Sequence, residues 1–363
     1  MMSKPSRRSR GAITIKDVAR AAGVSAMTVS RVINGVKNVK DSTRAAVQGS
    51  IEQLNYSPNS AARSLAAGDA SHIGLLYANP SAAYLSQFMI GALEAARGAG
   101  AHLLLESCES DDAQDQADVA RLLAQSAVDG FILPPPLSES QPILAELALA
   151  DMPLVTVAMG LPHDEILNVR IDDYAAAAQM TEHLIGLGHR RIGLIKGHPN
   201  HIASHDRARG FSDTLMAHGI AAEDGPIEQG FFTYRSGLRA TERLLALAKP
   251  PTAIFACNDD MAAAAISVAH RLRLSVPGDL SIVGFDDTAI ATTIWPELTT
   301  IRQPIAEMAT AAVDMLLGEL QRRRNHGRRQ VSERVLPHKL IVRESSGPPS
   351  ITHLVATKRR HKA

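Results

Sequence analysis

The chain has 363 residues, a net charge of +1, 45% hydrophobic residues and only 4% aromatic ones. That length predicts two or three domains with a substantial core, and the composition is that of an ordinary globular protein. No apolar run reaches the ~18 residues of a membrane span, no apolar segment follows the basic start to make a secretory leader, and Cys108 and Cys257 lack the spacing of a disulfide framework or zinc site.

The charge is unevenly distributed. Residues 1–68 hold 11 Lys and Arg against 3 Asp and Glu, residues 346–363 hold 4 basic and no acidic residues, and the stretch between holds 23 basic and 34 acidic ones. A basic head on an acidic body suits contact with phosphate at one end. Residues 1–12 and 346–363 read as a disordered basic arm and tail, and the cysteine usage points to the cytoplasm.

Residues 13–57 read as three short helices. Thr14 caps the first, with Asp17 three residues on, and Ile15, Val18, Ala19 and Ala22 form its apolar stripe up to Gly23. Ser25 caps the second, where Val29, Val32 and Ile33 face inward until Asn34-Gly35 stops it. The short link Ala22–Ser25 has the length of a helix-turn-helix turn. Ser42 caps the third helix, with Val47, Ile51 and Leu54 inward. The second helix is read as exposing Ala26, Met27, Ser30 and Arg31. Arg31 suits bidentate pairing with a guanine edge, and Ala26 and Met27 suit contact with a thymine methyl. Thr28 and Asn34 suit phosphates.

The wording of the head goes further than its pattern. Ile13–Ser25 (ITIKDVARAAGVS), Thr28–Asn34 (TVSRVIN) and Tyr56–Leu65 (YSPNSAARSL) resemble the lactose/galactose repressor family (LacI/GalR type) of bacterial transcription regulators. The resemblance implies that Thr14, Ser25, Tyr56, Asn59 and Ala62 also belong to the DNA-binding surface. It implies a hinge over 58–70 that becomes helical on operator DNA, with Leu65 wedging into the minor groove and kinking the duplex. Many members carry Lys where this chain has Ala66.

From residue 71 to 345, apolar runs alternate with helical patterns, which means parallel sheets covered by helices. Strand-like runs are Ile73–Tyr77, Leu103–Leu105, Gly130–Leu133, Leu154–Val157, Ile192–Ile195, Ala253–Ala256 and Ser281–Phe285. The length exceeds one such sheet, so two halves are expected, with a break near Asp172. The resemblance extends over this region and implies a periplasmic-binding-protein-like domain of two doubly wound parallel-sheet lobes. The N-lobe would cover about 71–171 and 304–330, and the C-lobe about 173–302 and 331–345. Crossings are placed near Asp172, at Arg302-Gln303-Pro304 and near Val331.

The ligand is then expected between the lobes, at the carboxyl ends of the strands. Phe232, Arg207 and Asp286 match the family's ligand-binding positions, and Asn258 ends another strand; an arginine, an aspartate, an asparagine and one ring suit vicinal hydroxyls. The resemblance also brings Tyr84, Asp172, His201 and Trp295 to the cleft. The segments Asn168–Asp173, Gly197–Asn200 and Thr293–Pro304 look like the salicin-utilisation regulator branch, which implies a glucoside or another plant-derived sugar. Ala203 and Pro134-Pro135-Pro136 offer few donors to a nucleobase, although a nucleobase corepressor remains the alternative.

No GxGxxG, P-loop, GxSxG or HExxH motif is present, so no catalytic residue, metal or cofactor is assigned. His198, His201 and His205 read as polar lining rather than a metal centre. The resulting expectation is a repressor of carbohydrate-utilisation genes that binds a pseudo-palindromic operator as a homodimer and is released by a small sugar. Activator or repressor, and dimer or tetramer, are left open at this point, with no heptad repeat after Glu344 to favour a tetramer.

Overall fold

The computed structural model describes residues 15–33, 40–53, 71–109, 112–160, 166–326 and 332–350. They fall into two compact units, a head before Ser71 and a body from Ser71 onward.

The head has helices at Ile15–Ala21, Ala26–Ile33 and Asp41–Gln53. Val18, Ala19, Val29, Val32 and Val47 form its core, with Ile15, Val24 and Ile51 packed against it. Gly23 takes a positive φ of 66° in the turn, where a residue without Cβ avoids strain. The Val24 amide then reaches the Ala19 carbonyl at 3.0 Å and closes the first helix. Ser25 caps the second: its Oγ accepts the Thr28 amide at 3.1 Å. The third helix starts two residues earlier than its sequence suggests. Lys40 precedes its first residue and accepts the Arg44 amide at 2.9 Å, so Ser42 lies inside the helix rather than capping it.

The body contains two six-stranded sheets. The first uses β1 (His72–Tyr77), β2 (His102–Ser107), β3 (Gly130–Leu133), β4 (Leu154–Val157), β5 (Leu167–Arg170) and β11 (Glu333–Val335), in the order β11-β5-β4-β3-β1-β2. The second uses β6 (Ile192–Lys196), β7 (Ile227–Gln229), β8 (Ala253–Ala256), β9 (Ser281–Asp286), β10 (Thr299–Arg302) and β12 (Lys339–Ile341), in the order β12-β10-β9-β8-β6-β7. The central strands β3, β4, β8 and β9 are buried along their whole length. Strands covered by helices on both faces need such continuous apolar runs, and those runs are what made them legible.

The chain passes between the sheets after β5, after β10, and between β11 and β12. The last passage lies later than the one read at Val331, which is itself outside the described residues. Glu333–Val335 still pairs with β5 in parallel. That edge strand is exposed and carries no apolar pattern; Arg170 Nε and Nη2 hold Glu333 at 2.8 and 3.0 Å instead.

Both sheets are parallel as expected, apart from one edge strand of the second: β12 runs antiparallel to β10. Only residues 336–338 separate β12 from β11, too few for a crossover helix. The chain leaves the first sheet at its carboxyl end and enters the second from the same side, against the direction of its strands. Residues 346–350 depart from the expected tail too. Ser345 is fully buried, and the Gly347 carbonyl accepts from Ser281 Oγ at 2.9 Å and sits 2.9 Å from His189 Nε2.

The helices Ala82–Ala99 and Ile305–Arg324 pack together on the first sheet at Gly91, where a Cβ would press on the backbone of Ala306. A Cβ at Gly98 on the same helix would meet nothing within 4 Å. Gly91→Ala is therefore expected to lower stability by about 1–3 kcal/mol through overpacking. Gly98→Ala should be neutral or stabilising by up to about 1 kcal/mol. Urea unfolding of the two variants checks this, and equal effects would contradict the packing described.

Candidate functional site

In the head, the second helix presents Met27, 67% exposed, and Arg31, also exposed. Ser25 is exposed, but its Oγ is engaged with the Thr28 amide and lies 2.9 Å from Thr28 Oγ1. Ala26 was read as outward facing, yet it leans on the head core. The reason is positional: it opens the helix next to Ser25 and shares the inner face with Val29. The backbone of Ser30 is helical, and its side chain lies outside the described residues. Thr14, Asn34, Tyr56, Asn59, Ala62, Leu65 and Ala66 also lie outside them.

In the body, the carboxyl ends of both sheets face a cleft of about 520 Å³. Loops after β1, β3 and β4 bring Asn79, Ser81, Pro135 and Ala158 from the first lobe. The ends of β8 and β9, the loop after β7 and the helix Ile202–Ala217 bring Asn258, Asp286, Phe232, His201, Ala203 and Arg207 from the second. Gln303, at the second passage between lobes, closes one side.

Arg207 is the centre of this arrangement. Its Nε donates to Asp173 Oδ1 at 2.8 Å, its Nη1 donates to the Cys257 carbonyl at 2.6 Å, and Nη1 lies 4.0 Å from Asp286 Oδ1. Its guanidinium carbon sits 3.6 Å from the centroid of the Phe285 ring. Burial by itself would lower the arginine's pKa, but the two carboxylates outweigh that and raise it. The carboxylates feel burial more strongly than they feel Arg207. Asp173 is raised, and Asp286 is pushed up to about 7, even though Gln303 Nε2 donates to Asp286 Oδ1 at 2.6 Å. Asp259, buried beneath, is raised as well by burial and then by Asp286; it holds the Thr288 amide at 2.7 Å and Thr300 Oγ1 at 2.7 Å.

The backbone is strained where it meets the cleft. Ala158, Phe232 and Asp286 all have positive φ, at 56°, 58° and 112°. Each such residue costs about 1–3 kcal/mol and persists only where its surroundings hold it. The Phe232 carbonyl accepts from Asn258 Nδ2 at 2.9 Å. Its ring stacks on His201, centroids 5.5 Å apart, and lies across Gly197, where a Cβ would collide with it. Burial lowers the pKa of His201 to about 3, with His198 adding to the effect, so the ring is a neutral stacking face. The Tyr84 hydroxyl is buried with no partner among the described residues. Burial first, then the charge of Asp286, raises its pKa and keeps the O–H as a donor.

Hydrogen bonds cross between the lobes beside the cleft. Ser81 Oγ donates to Asp260 Oδ2 at 2.6 Å. Glu139 Oε2 accepts the Ile202 amide at 3.0 Å, and its Oε1 accepts the Gly160 amide at 3.3 Å. The N-cap of that helix, His201, makes no side-chain cap bond, so a carboxylate from the opposite lobe serves the helix N-terminus.

Six of the eight positions named from sequence meet in the cleft: Tyr84, His201, Arg207, Phe232, Asn258 and Asp286. Asp172 does not. It is exposed and caps the helix Asp173–Gly186, accepting the Ala175 amide at 2.9 Å, while its neighbour Asp173 is the buried partner of Arg207. Trp295 does not either: it is 74% exposed, with its ring 5.9 Å from that of His270, away from the cleft lining. Gln303, Ser81 and Glu139 also line the cleft; the sequence marks Gln303 only as a crossing point, and nothing local marks the other two.

Residues 14–59 match the bacterial regulatory proteins of the lacI family, and residues 181–346 match the periplasmic binding protein-like domain. The HTH-type transcriptional repressor PurR of Photobacterium profundum is 34% identical over 334 residues, 92% of this chain and 98% of that protein. The transcriptional regulator CelR in complex with cellobiose superposes with a TM-score of 0.70 at 30% identity, covering 92% of this chain and all of that one. The lac repressor dimer bound to operator and an anti-inducer does so with a TM-score of 0.67 at 28% identity, covering 93% of this chain and all of that one. These relatives are transcription regulators rather than enzymes, and this chain belongs to the same lacI family of DNA-binding bacterial regulatory proteins.

Proposed function

We propose that the protein represses carbohydrate-utilisation genes and is released from its operator by a small sugar or glycoside. The observation that carries this reading is the pairing, in one cleft, of an aromatic face with a ring of buried polar groups. Phe232 and His201 offer the face; Arg207, Asp286, Asn258 and Gln303 offer donors and acceptors spaced around it. A sugar has an apolar ring face and a rim of hydroxyls, and both find counterparts here. The likeness to a cellobiose-bound regulator supports the same class, as does the resemblance of Asn168–Asp173 and Gly197–Asn200 to salicin-utilisation regulators.

A homodimer working on a pseudo-palindromic operator in the cytoplasm, at the nucleoid, fits this role. Support for a second copy comes from the first lobe, where Ile90 and Leu93 on one helix and Leu104 and Leu105 on the edge strand β2 are all exposed. An exposed apolar edge of that kind calls for a partner. The effector acts by binding the operator-competent and operator-released states unequally, with a coupling of about 1–3 kcal/mol. Leu65 in the hinge and Arg31 in the second helix are proposed to read the minor and major grooves. A second reading, corepression by a nucleobase, is favoured by the similarity to purine repressors.

Electrophoretic mobility shift on the protein's own upstream DNA separates the two. Release by a sugar is expected; a shift that appears only when hypoxanthine or guanine is added would replace this reading with corepression. Arg31→Ala should weaken specific operator binding by about 1–3 kcal/mol and leave salt-dependent nonspecific binding in place; loss of both would mean the head had been misread.

Asp286 predicts a pH effect. Its carboxyl, held up to about 7, is mostly protonated at pH 6 and mostly ionised at pH 8. A sugar hydroxyl that donates to it binds the ionised form, so inducer affinity rises with pH across that window, by about tenfold. Calorimetric titration at both pH values checks this, and Asp286→Asn should flatten the difference. An affinity that falls with rising pH would remove Asp286 from the inducer's acceptors.

A further inference from the structure

A second hollow adjoins the inner cleft between the lobes. Asn79, Pro80, Glu139 and His201 line both spaces, so the two lie side by side. From the first lobe the outer hollow is walled by Tyr77, Glu109, Gln116 and Ser140, and from the second by His198, Asn200, Phe231 and Thr233. Four rings run from one space into the other. Phe232 stacks on His201 at 5.5 Å, His201 adjoins His198 at 4.9 Å, and Phe231 meets His198 edge-on at 5.6 Å with an interplanar angle of 74°.

Phe231 is the informative member. It is a large apolar ring left 43% exposed, next in sequence to the strained Phe232 and turned to the other compartment. One six-membered ring on Phe232 would leave it uncovered. The charge pattern adds a second constraint. Among the described lining residues the only lysine or arginine is Arg207, which is already matched by Asp173 and Asp286, while Glu109 and Glu139 add negative charge. Neither compartment therefore has a cation to spare for a phosphate.

We infer that the effector is an uncharged glycoside of two linked rings, one on Phe232 and His201 in the inner compartment and one on His198 and Phe231 in the outer. This rests on the sugar reading above and narrows it: monosaccharides fill half the site, and sugar phosphates and nucleotides are excluded by charge. The polar groups around the outer rings, from Tyr77, Gln116, Asn200 and Thr233, give the second ring's hydroxyls partners without demanding one orientation.

The test is isothermal titration of the full chain with matched ligands: glucose against glucose 6-phosphate, phenyl β-glucoside, cellobiose and gentiobiose, and galactose against lactose. At least one two-ring ligand should bind about tenfold or more tightly than its monosaccharide, the worth of one good aromatic stack, and glucose 6-phosphate should bind more weakly than glucose. Phe231→Ala, and separately His198→Ala, should shrink the two-ring advantage by about tenfold, whereas Phe232→Ala should weaken every ligand of the set. The inference is overturned if monosaccharides bind as tightly as all two-ring ligands, if the phosphate binds best, or if Phe231→Ala weakens one-ring and two-ring ligands alike. In those cases the sugar reading survives. If no sugar binds, both fall, and hypoxanthine binding would then point to corepression.

Discussion

A guanidinium buried between two carboxylates sets the terms for the rest of the body. Arg207 has almost no exposure, and a charge in that position is tolerated only when paired and hydrogen-bonded. Its partners come from separate places in the chain: Asp173 opens one helix, Asp286 ends β9, and the Cys257 carbonyl follows β8. Meeting all three fixes where the helix Ile202–Ala217 sits over the sheet. Removing Arg207 would leave two buried carboxylates without their cation, so the guanidinium is the member the cluster cannot lose. The positive φ of Asp286 fits the same constraint, since the carboxylate must turn back from the strand end to face both Arg207 and Gln303.

The cleft is shaped from both sides of that cluster. Each sheet ends its strands toward it, so short loops from either lobe reach the same space, and the lobes meet through few direct bonds. Ser81 to Asp260 and Glu139 to the Ile202 amide are two polar ones among the described residues. Glu139 is held above the usual carboxylate range by burial, which the two amides it accepts only partly offset. A contact of this kind favours approach of the lobes without locking it. A ligand that bonds to both lobes can therefore shift the balance between approach and separation, the differential affinity that effector control requires.

How much of this was legible follows from where the signal resides. The fully buried strands were found because parallel strands covered on both sides are written as unbroken apolar runs. β5, β7, β10, β11 and β12 were not, because strands of three or four residues carry too few side chains to show a period, and the edge strand β11 holds on through backbone pairing and one ion pair. In the cleft, the six residues that meet there lie at or near strand ends and helix starts. Asp172 and Asp173 show the limit of what a sequence marks: adjacent aspartates at a helix start are equivalent in sequence, and only the packed structure shows that one caps the helix while its neighbour turns inward to Arg207. Glu139 could not have been read at all. It acts across 63 positions of sequence on an amide whose own cap residue supplies nothing.

The charge balance also explains how such a site discriminates. With Arg207 already matched, a ligand gains little by bringing charge and must win by exchanging water for protein partners, each worth about 1 kcal/mol net. The larger differences arise from failure. A buried group designed around a partner costs more when left empty than it gains when satisfied. The Tyr84 hydroxyl is such a group, buried beside Asp286 and unpaired among the described residues. A ligand with an acceptor at that point relieves the deficit; one without it must bury the hydroxyl unpaired when the lobes approach. Specificity then lies less in the attraction of Phe232, which any ring face can satisfy, than in the penalty at Tyr84 and the geometry of Asp286 and Gln303 around it.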